Sequence, residues 1–393
     1  MLLLGALAVG AVCPACRSTS GAEAAPPERP PAPEAAVRRS YQHPAMGTLF
    51  RLTLHAADGA EADRAAAAAF ARVDRIAEVA TDYVADSEAR ELPARSAGAW
   101  VGVSDDLAAV LRAADRWVRV SGGAFDPTVG ALTRRWRRAL RQGQWPDGEA
   151  WGEDARRVGW ASLVQLRETG AGLEFRTAEP GLRLDFGAVA KGVAVDEALE
   201  AVEAAGVRRA LMDGGGDLRA LDPPPGRDGW RVEVLPFGET SERRLRFLLR
   251  RAAVATSGDA YRSGALDGEP LAGISDPATH YGHVIDARTA LPLPSPRAAL
   301  MTAPTAAEAD ALATARLVLG DERSAEAALE RGVFFGGPDL EPCVGGRFPH
   351  DGATPLTEPA RPAADGEPTP DPFPDEPGAA ARERSPHQRP RDE

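Results

Sequence analysis

The sequence predicts an α+β fold, because strand-like and helix-like segments follow one another without the regular β–α–β alternation of a parallel sheet. Alanine-rich amphipathic segments such as Ala60–Ala80 indicate helices, with Phe70, Val73 and Ile76 on the buried side. Segments such as Phe50–His55, where apolar and polar side chains alternate, indicate strands. Hydrophobic residues make up 44% and charged residues 26% of the 393 positions, which is typical of a soluble globular protein. The net charge of −12 argues against a general nucleic-acid-binding surface.

Two further helices are predicted before the middle of the chain. A loop containing Asp86–Glu88 follows the first helix, and Ser104 is a good N-cap for a helix over Asp105–Val120. The segment Phe125–Gly130, FDPTVG, is typical of a tight turn because its proline fixes φ. A short helix that closes at Trp136 is expected directly after this turn.

The stretch Asp185–Asp196, DFGAVAKGVAVD, is the one around which a ligand site is expected. A strand, Leu182–Phe186, leads through Gly187 into a helix over Ala190–Ala205. The unpaired N–H groups and the dipole of a helix N-terminus favour a bound anion. Lys191 has the wrong charge for that dipole and needs a compensating group, for which a bound phosphate is one candidate. A solvated lysine is the alternative, since the turn matches neither GxGxxG nor GxxxxGKS.

The second half of the chain reads as short strands followed by one helix. Turns rich in glycine and proline separate the strand candidates, which are short strands within Trp160–Phe175 and then Val207–Met212, Trp230–Val234, Ala252–Thr256 and His283–Asp286. Thr305 and Glu308 form a capping box at the start of a helix that ends at Leu319, before Gly320. Asp310 and Thr314 lie four apart on it, so that their side chains emerge from the same face. An oxygen pair of this kind is a fair partial shell for Mg²⁺, whereas an exposed helix face is the alternative.

Composition divides the chain into four segments. Residues 1–17 are expected to be a signal peptide or lipoprotein signal, because the apolar run Leu2–Val12 is too short to span a bilayer. Residues 18–39 are expected to be a flexible linker rich in Pro and Ala, 40–348 the folded domain, and 349–393 a disordered tail rich in Pro and charge. The three cysteines, Cys13, Cys16 and Cys343, cannot form a disulfide framework. Lipid attachment at Cys13, at Cys16 or at neither is left open.

Seven short motifs give the chain a specific resemblance, because they occur in one order over about Ser40 to Phe348. They are Met46-Gly47-Thr48, Phe125–Gly130, Asp185–Asp196, Gly214-Gly215-Gly216-Asp217, Ala255–Asp259, His283-Val284-Ile285-Asp286 and Ala309–Thr314. In order and spacing they resemble the FAD:protein FMN transferases of the ApbE family, once labelled thiamine-biosynthesis lipoproteins. The resemblance implies an α+β, T-fold-like, two-lobed domain with mixed and antiparallel sheets flanked by helices.

The activity that this resemblance implies is transfer of FMN from FAD to a threonine or serine hydroxyl of another protein, with Mg²⁺ bound and AMP released. The expected partner is an acceptor subunit of a respiratory or electron-transfer flavoprotein complex, with no nucleic acid involved. The expected location is the periplasmic side of the inner membrane, with membrane association only through an N-terminal lipid. Two alternatives stay open: an FAD pyrophosphatase on the same scaffold, and a non-catalytic flavin-binding accessory protein.

The resemblance also assigns site residues. It implies that the metal is held by the Asp310 and Thr314 side chains and by backbone at Ala188 and Ala313. It places His283 at the flavin and phosphate site; His283 or Asp286 is expected to take the hydroxyl proton, and the sequence does not choose between them. The positions implied to contact FAD are Met46, Tyr83, Ala124, Phe125, Asp126, Asp185, Lys191, His283 and Val284.

Three positions depart from the pattern that the resemblance implies. Ala287 and Ala290 replace a proline and a glycine in the turn after His283-Val284-Ile285-Asp286, so this turn is expected to differ. Asp213 stands where relatives commonly have asparagine. A further carboxylate near a phosphate site is unfavourable unless it faces the metal or solvent.

Overall fold

The computed structural model describes residues 36–81, 86–238, 242–258, 266–321, 326, 328–345 and 347–356. Its helices are α1 Gly59–Ala80, α2 Glu88–Arg95, α3 Asp105–Ser121, α4 Gly130–Gln142, α5 Gly148–Ala155, α6 Trp160–Leu163, α7 Ala190–Ala204 and α8 Ala306–Leu319. Its strands are β1 Val37–Ala45, β2 Thr48–Ala56, β3 Val101–Gly102, β4 Val164–Thr169, β5 Gly172–Thr177, β6 Arg209–Gly214, β7 Leu218–Ala220, β8 Trp230–Val234, β9 Leu245–Leu249, β10 Ala252–Gly258, β11 Tyr281–Asp286, β12 Leu291–Pro294, β13 Ala298–Ala303, β14 Gly332–Phe335, β15 Cys343–Val344 and β16 Ala353–Pro355.

An eight-stranded antiparallel sheet in the order β1-β2-β6-β7-β10-β13-β14-β15 forms the centre of the molecule. Both of its faces are buried, as β13 shows, where all six side chains are inaccessible. Ala299 and Met301 point into the main core under the helices, while Ala298 and Leu300 point into a second core on the other face. Helices on one side of an antiparallel sheet confirm the predicted α+β class.

The helical layer packs on the face of the large sheet that Phe50, Leu52 and Leu54 line. Its central member is α7, which is buried on most sides between α1, α3 and α8. A Cβ atom at Gly192 would lie 2.5 Å from Ala306 O, so only glycine permits this approach of α7 to the start of α8. The observed bounds of α1, α3, α7 and α8 confirm, to within one or two residues, the helices predicted over 60–80, 105–120, 190–205 and 306–319.

Two smaller units complete the described fold. The three-stranded sheet β16-β9-β8 covers the second face of the large sheet through Trp230, Val232 and Phe247. The hairpin β11–β12 packs with α4 and α5 around a third apolar cluster that contains three tryptophans. This hairpin carries His283 and Asp286, so the third cluster is the one nearest to the predicted chemistry.

The loop expected at Asp86–Glu88 turns out to begin a helix. The Ser87 side chain accepts a hydrogen bond from the N–H of Arg90 and so caps α2. The next residue, Glu88, accepts from both the backbone N–H and the hydroxyl of Ser104, the N-cap of α3. Ser87 and Glu88 therefore connect the N-terminus of α2 to the N-terminus of α3.

Some of the predicted boundaries were wrong. Residues 182–186 form no strand, because their backbone is used differently: the N–H of Asp185 donates to Pro127 O at 2.8 Å. Helix α4 continues to Gln142, six residues beyond Trp136, and the segment from Trp160 begins with a helical turn. Strand β1 already includes Val37, before the predicted start of the domain at residue 40, and Pro355 in the predicted tail pairs with β9. In the described ranges no helix is long and apolar enough to cross a membrane.

Candidate functional site

Lys191 lies at the centre of the candidate site, in the first turn of α7. Its ammonium is 3.0 Å from Asp217 Oδ2 and 3.3 Å from Asp310 Oδ2, and it donates to Gly187 O at 3.1 Å. Asp310 Oδ2 also accepts from the backbone N–H of Gly192 at 3.2 Å. One cation therefore joins the turn before α7, the loop after β6 and the face of α8.

The pKa values of Lys191, Asp217 and Asp310 depend on one another. Burial and, to a smaller extent, the neighbouring Asp310 carboxylate raise the pKa of Asp217 to about 7, although Lys191 acts in the opposite direction. Burial also raises the pKa of Asp310 above its ordinary value, although Lys191 and the Gly192 N–H act in the opposite direction. For Lys191, burial lowers the pKa, but the two carboxylates outweigh it and raise the pKa overall. The two carboxylates compensate Lys191 here, in place of the phosphate expected from the sequence.

Two hydroxyl groups meet further along α8. Thr314 Oγ1 donates to Ser257 Oγ at 3.1 Å, which brings the end of β10 to this helix face. Asp310 is only 4% exposed and Thr314 is half-buried, so the two predicted side-chain ligands lie on an inward face. Ala313 is fully buried in the main core, and Ala188 packs against that core.

The residues present fit a divalent cation that prefers oxygen ligands. Two buried carboxylates facing one ammonium leave an excess negative charge when both are ionised, and a bound cation would neutralise it. Asp217 Oδ2 is a buried oxygen without a well-formed hydrogen bond, despite its closeness to Lys191. Among the described residues no three His, Cys, Asp or Glu side chains cluster as a metal site, so hydroxyl and backbone oxygens would have to complete the shell.

The two ends of Asp185–Asp196 hold the site together. The Asp185 carboxylate accepts from Thr133 Oγ1 at 2.8 Å and from Arg137 at 2.9 Å, both on α4. The Asp196 carboxylate accepts from the N–H groups of Ala306 and Ala307, at 2.8 and 2.9 Å, and so caps α8 from α7. Asp185 was expected to contact FAD, and its side chain is engaged with α4 in this structure.

His283 and Asp286 lie on β11 in the hairpin. Asp286 is buried, and its two oxygens accept from Nε and Nη2 of Arg288, both at 3.0 Å. His283 is half-buried, and Val284 beside it packs against the main core. In the turn, Ala290 has φ +56°, a left-handed conformation that suits the glycine expected at this position.

Met46 and Gly47 form the two-residue turn between β1 and β2. Their φ values of +49° and +72° are those of a type I′ turn, which is strained at a methionine. Gly215, at φ +75°, lies against Thr48 beside this turn, and a Cβ atom there would collide with the threonine side chain. Asp213 pairs with Arg51 at 3.3 Å, which accounts for the additional carboxylate.

The segment Ala124–Asp126 is almost inaccessible. Ala124 and Phe125 are 2% and 3% exposed, and Asp126 accepts from Thr128 and from the N–H of Trp160. Burial raises the pKa of Asp126 although these hydrogen bonds oppose the change. The side chains thus serve the tight turn, and Ala124 and Phe125 are not accessible to a dinucleotide in this structure. Tyr83 lies outside the described residues.

Three residues of the site were missed in the sequence. Asp217 was quoted only as the end of a glycine run, yet it forms one side of the charged centre. Asp196 and Trp136 also have no local signal, since each acts on a backbone group more than a hundred residues away. For Asp217 the local signal is its position directly after three glycines, where backbone can approach other groups closely.

Comparison with known proteins identifies similar chains. A family model described as the ApbE family matches residues 46–334. The chain is 31% identical over 293 residues to the FAD:protein FMN transferase of Treponema pallidum, covering 71% of this chain and 78% of the relative. It is 26% identical over 325 residues to the protein of the same name from Klebsiella pneumoniae, covering 81% and 88%.

Solved structures show the same fold. The apo crystal structure of the flavinyl transferase ApbE from Pseudomonas stutzeri superposes with a TM-score of 0.61 at 22% identity, covering 76% of this chain and 91% of that one. The ApbE protein of Thermotoga maritima superposes with a TM-score of 0.59 at 25% identity, covering 72% and 87%.

Proposed function

Because the chain belongs to the ApbE family, we propose that it is an FAD:protein FMN transferase that modifies a threonine or serine of an exported acceptor protein. The observation that carries the proposal is the convergence of Lys191, Asp217 and Asp310. Sites for phosphoryl transfer require fixed charges around a pyrophosphate, and this cluster provides them beside a helix N-terminus.

In the proposed reaction the acceptor hydroxyl oxygen attacks the FMN phosphorus of FAD. The bond between that phosphorus and the bridging oxygen breaks, and AMP leaves with the electron pair. The hydroxyl proton passes to a base of the enzyme. The products are AMP and a protein with a phosphoester-linked FMN, so no oxidant or further reactant is needed.

We assign the proton acceptor to His283 rather than Asp286. Both oxygens of Asp286 are engaged by the Arg288 guanidinium, and the backbone N–H of Arg288 donates to Oδ1 as well, at 2.9 Å. Asp286 therefore anchors the turn, with both of its oxygens already in hydrogen bonds. His283 lies three residues earlier on the same strand, and an imidazole is the side chain best suited to accept a proton near neutral pH.

Lys191 and its two acids have separate tasks in this proposal. Asp310 and Thr314, with backbone oxygens at Ala188 and Ala313, would hold Mg²⁺. When bound, Mg²⁺ would neutralise the pyrophosphate and the charge that develops on the leaving phosphate. Lys191 lowers the pKa of the two buried carboxylates against the rise that burial causes, and its ammonium already has Gly187 O, Asp217 Oδ2 and Asp310 Oδ2 within 3.3 Å. A contact from Lys191 to FAD therefore requires the loss of one of these partners.

The location is a separate proposal. The apolar run Leu2–Val12 before Cys13 and Cys16 supports export to the periplasmic side of the inner membrane, and residues 1–17 lie outside the described part of the chain. The acceptor would then be a flavoprotein subunit of an electron-transfer complex. Fractionation of cells that express the full chain, with mass spectrometry of its N-terminal peptide, tests export and lipid attachment.

The activity is tested by incubating the protein with FAD and Mg²⁺, with and without an acceptor protein that carries a flavinylation threonine. AMP release that depends on the acceptor, with a gain of the mass of an FMN phosphoester, is the expected result. AMP release at the same rate without acceptor would indicate an FAD pyrophosphatase. Bound FAD without AMP release would indicate a flavin-binding accessory protein.

A further inference from the structure

The β11–β12 hairpin, which carries His283, is weakly held by its own strand pairing. It is a separate two-stranded sheet, and such hairpins are marginal on their own. Pro292 and Pro294 stand opposite Ile285 and Tyr281, so β12 has no N–H to donate at either position. The register shifts between these two pairs, and residues 282–284 face the single residue Leu293. His283 thus lies in a bulge, where the ladder does not determine its direction.

Two tryptophan side chains donate further hydrogen bonds to this hairpin. Trp136 Nε1 on α4 donates to Gly282 O at 2.7 Å, directly before His283. Trp151 Nε1 on α5 donates to Ala290 O at 3.0 Å, in the turn where φ is +56°. The two indoles therefore hold the hairpin at both sides of the segment that carries His283 and Asp286.

The donors are themselves rigid. Trp136 is fully buried, with ring centroids 5.7 Å from Trp145 and 6.2 Å from Trp151, and Trp145 lies 5.6 Å from Tyr281 at the start of β11. Such aromatic contacts restrict the ring that carries each N–H group. The next residue on α4, Arg137, binds Asp185 before α7, so one helix turn contacts both halves of the site.

We infer that Trp136 is a positioning residue for His283, with Trp151 as a weaker second anchor of the same hairpin. Trp136 acts through Gly282 O and touches no substrate. The inference rests on the proposed function in assigning the hydroxyl proton to His283. Its structural part, that the indole N–H holds the bulge in place, is independent of any activity.

The test uses the full chain and Trp136→Phe, which keeps a buried aromatic ring and removes the N–H donor. Trp230→Phe is the matched control, because Trp230 Nε1 donates to a backbone carbonyl, Asp222 O, at 3.0 Å in the second core. Both variants lose the same kind of hydrogen bond. The measurements are kcat for FMN transfer, the Kd for FAD with Mg²⁺, and hydrogen exchange of residues 281–290 by mass spectrometry.

We expect Trp136→Phe to lower kcat about ten- to hundred-fold, the loss typical of a misplaced reacting group, with the Kd for FAD changed less than about two-fold. Hydrogen exchange in residues 281–290 should rise in this variant and in Trp151→Phe, whose kcat should fall only about three-fold. Trp230→Phe should leave kcat and exchange at 281–290 as in the wild type. In the background of His283→Ala, Trp136→Phe should have no further effect on kcat, because a residue that acts only through His283 has nothing left to position.

Additive losses in the double variant, or equal losses of kcat in Trp136→Phe and Trp230→Phe, would overturn the inference. Unchanged exchange at 281–290 in both Trp136→Phe and Trp151→Phe would overturn its structural part even if Trp136→Phe folds poorly. Failure of the proposed function looks different, since the wild-type protein would then show no AMP release that depends on the acceptor. Wild-type turnover by His283→Ala would overturn the base assignment and the positioning role of Trp136 in catalysis, and would leave only the structural part of the inference.

Discussion

The two halves of the candidate site are held by opposite kinds of interaction. Around α7 and α8, an ammonium lies between two buried carboxylates inside a core that helices surround. Around β11–β12, a short hairpin with two prolines is fixed by indole N–H groups and an aromatic cluster. The first half depends on charges that are costly to bury, and the second depends on neutral donors in an apolar setting.

The difference indicates what each half can tolerate. A buried charge cluster is destabilised most when the cation between two carboxylates is removed, because both carboxylates are then left without a partner. An aromatic anchor that loses one N–H keeps its packing and loses mainly the direction of the group it holds. Substitutions near Lys191 should therefore change stability and cation affinity together, whereas substitutions near the hairpin should change turnover with little change in affinity.

The largest effect is expected from Asp310→Ala. Removing the carboxylate that the proposal assigns to Mg²⁺ should reduce FMN transfer by at least about a thousand-fold, while the protein stays folded. Glu233→Ala is the control, because this carboxylate pairs with Arg244 and Arg246 on the far sheet. Turnover near the wild-type value at limiting Mg²⁺ would contradict the metal assignment.

Lys191→Ala should be the most destabilising change in the charged half. It leaves Asp217 and Asp310 buried without their cation, which typically costs about 3–5 kcal/mol in the free energy of unfolding. Arg51→Ala breaks the more exposed ion pair between Arg51 and Asp213, and it should cost no more than about 1 kcal/mol in the free energy of unfolding. Urea denaturation of both variants without metal measures the contrast, and equal stability of Lys191→Ala and the wild type would disprove the dependence on Lys191. Added Mg²⁺ should stabilise Lys191→Ala more than the wild type.

Asp217→Asn distinguishes the role of Asp217 from that of Asp310. It removes the like charge next to Asp310 and leaves Lys191 paired, so the free energy of unfolding without metal should stay unchanged or rise by about 1 kcal/mol. The stabilisation that Mg²⁺ confers should decrease at the same time, because the cluster loses negative charge. Thermal melts with and without Mg²⁺ measure both quantities. A variant that is less stable without metal would show that Asp217 serves the fold rather than the ligand.

The smallest effect is expected in the hairpin turn. Ala290→Gly removes the strain of an alanine in the left-handed conformation, which costs about 1–2 kcal/mol. The glycine in turn loses more backbone entropy on folding, which costs about 0.5–1 kcal/mol. The net result should be a stabilisation of about 0.5 kcal/mol. Ala287→Gly in the same turn, where φ is not positive, should instead destabilise by a similar amount. Opposite signs in denaturant unfolding are the expected outcome, and two destabilised variants would show that the turn is not strained.

Much of the fold was predictable from local patterns. The helices α1, α3 and α8 carry their own N-caps, and the inward residues of β2 alternate as strand residues should. The class followed from the order of these segments. The seven ordered motifs also carried the family resemblance, which the match over residues 46–334 confirmed. The roles of the individual FAD and metal residues remain predictions.

What the sequence by itself determined was which segments become helices and strands and which motifs occur, because these depend on neighbours within a few residues. Only the tertiary structure decided what each charged or polar side chain meets. Lys191 was expected to need a compensating group, with a bound phosphate as one candidate, because its charge opposes the helix dipole. The counter-charges come from Asp217 and Asp310, 26 and 119 residues further along the chain. Residues 182–186 have a strand-like pattern, but their backbone is taken by the turn at Pro127. Burial and pairing across such distances are set by the packing of whole elements, and no local pattern records them.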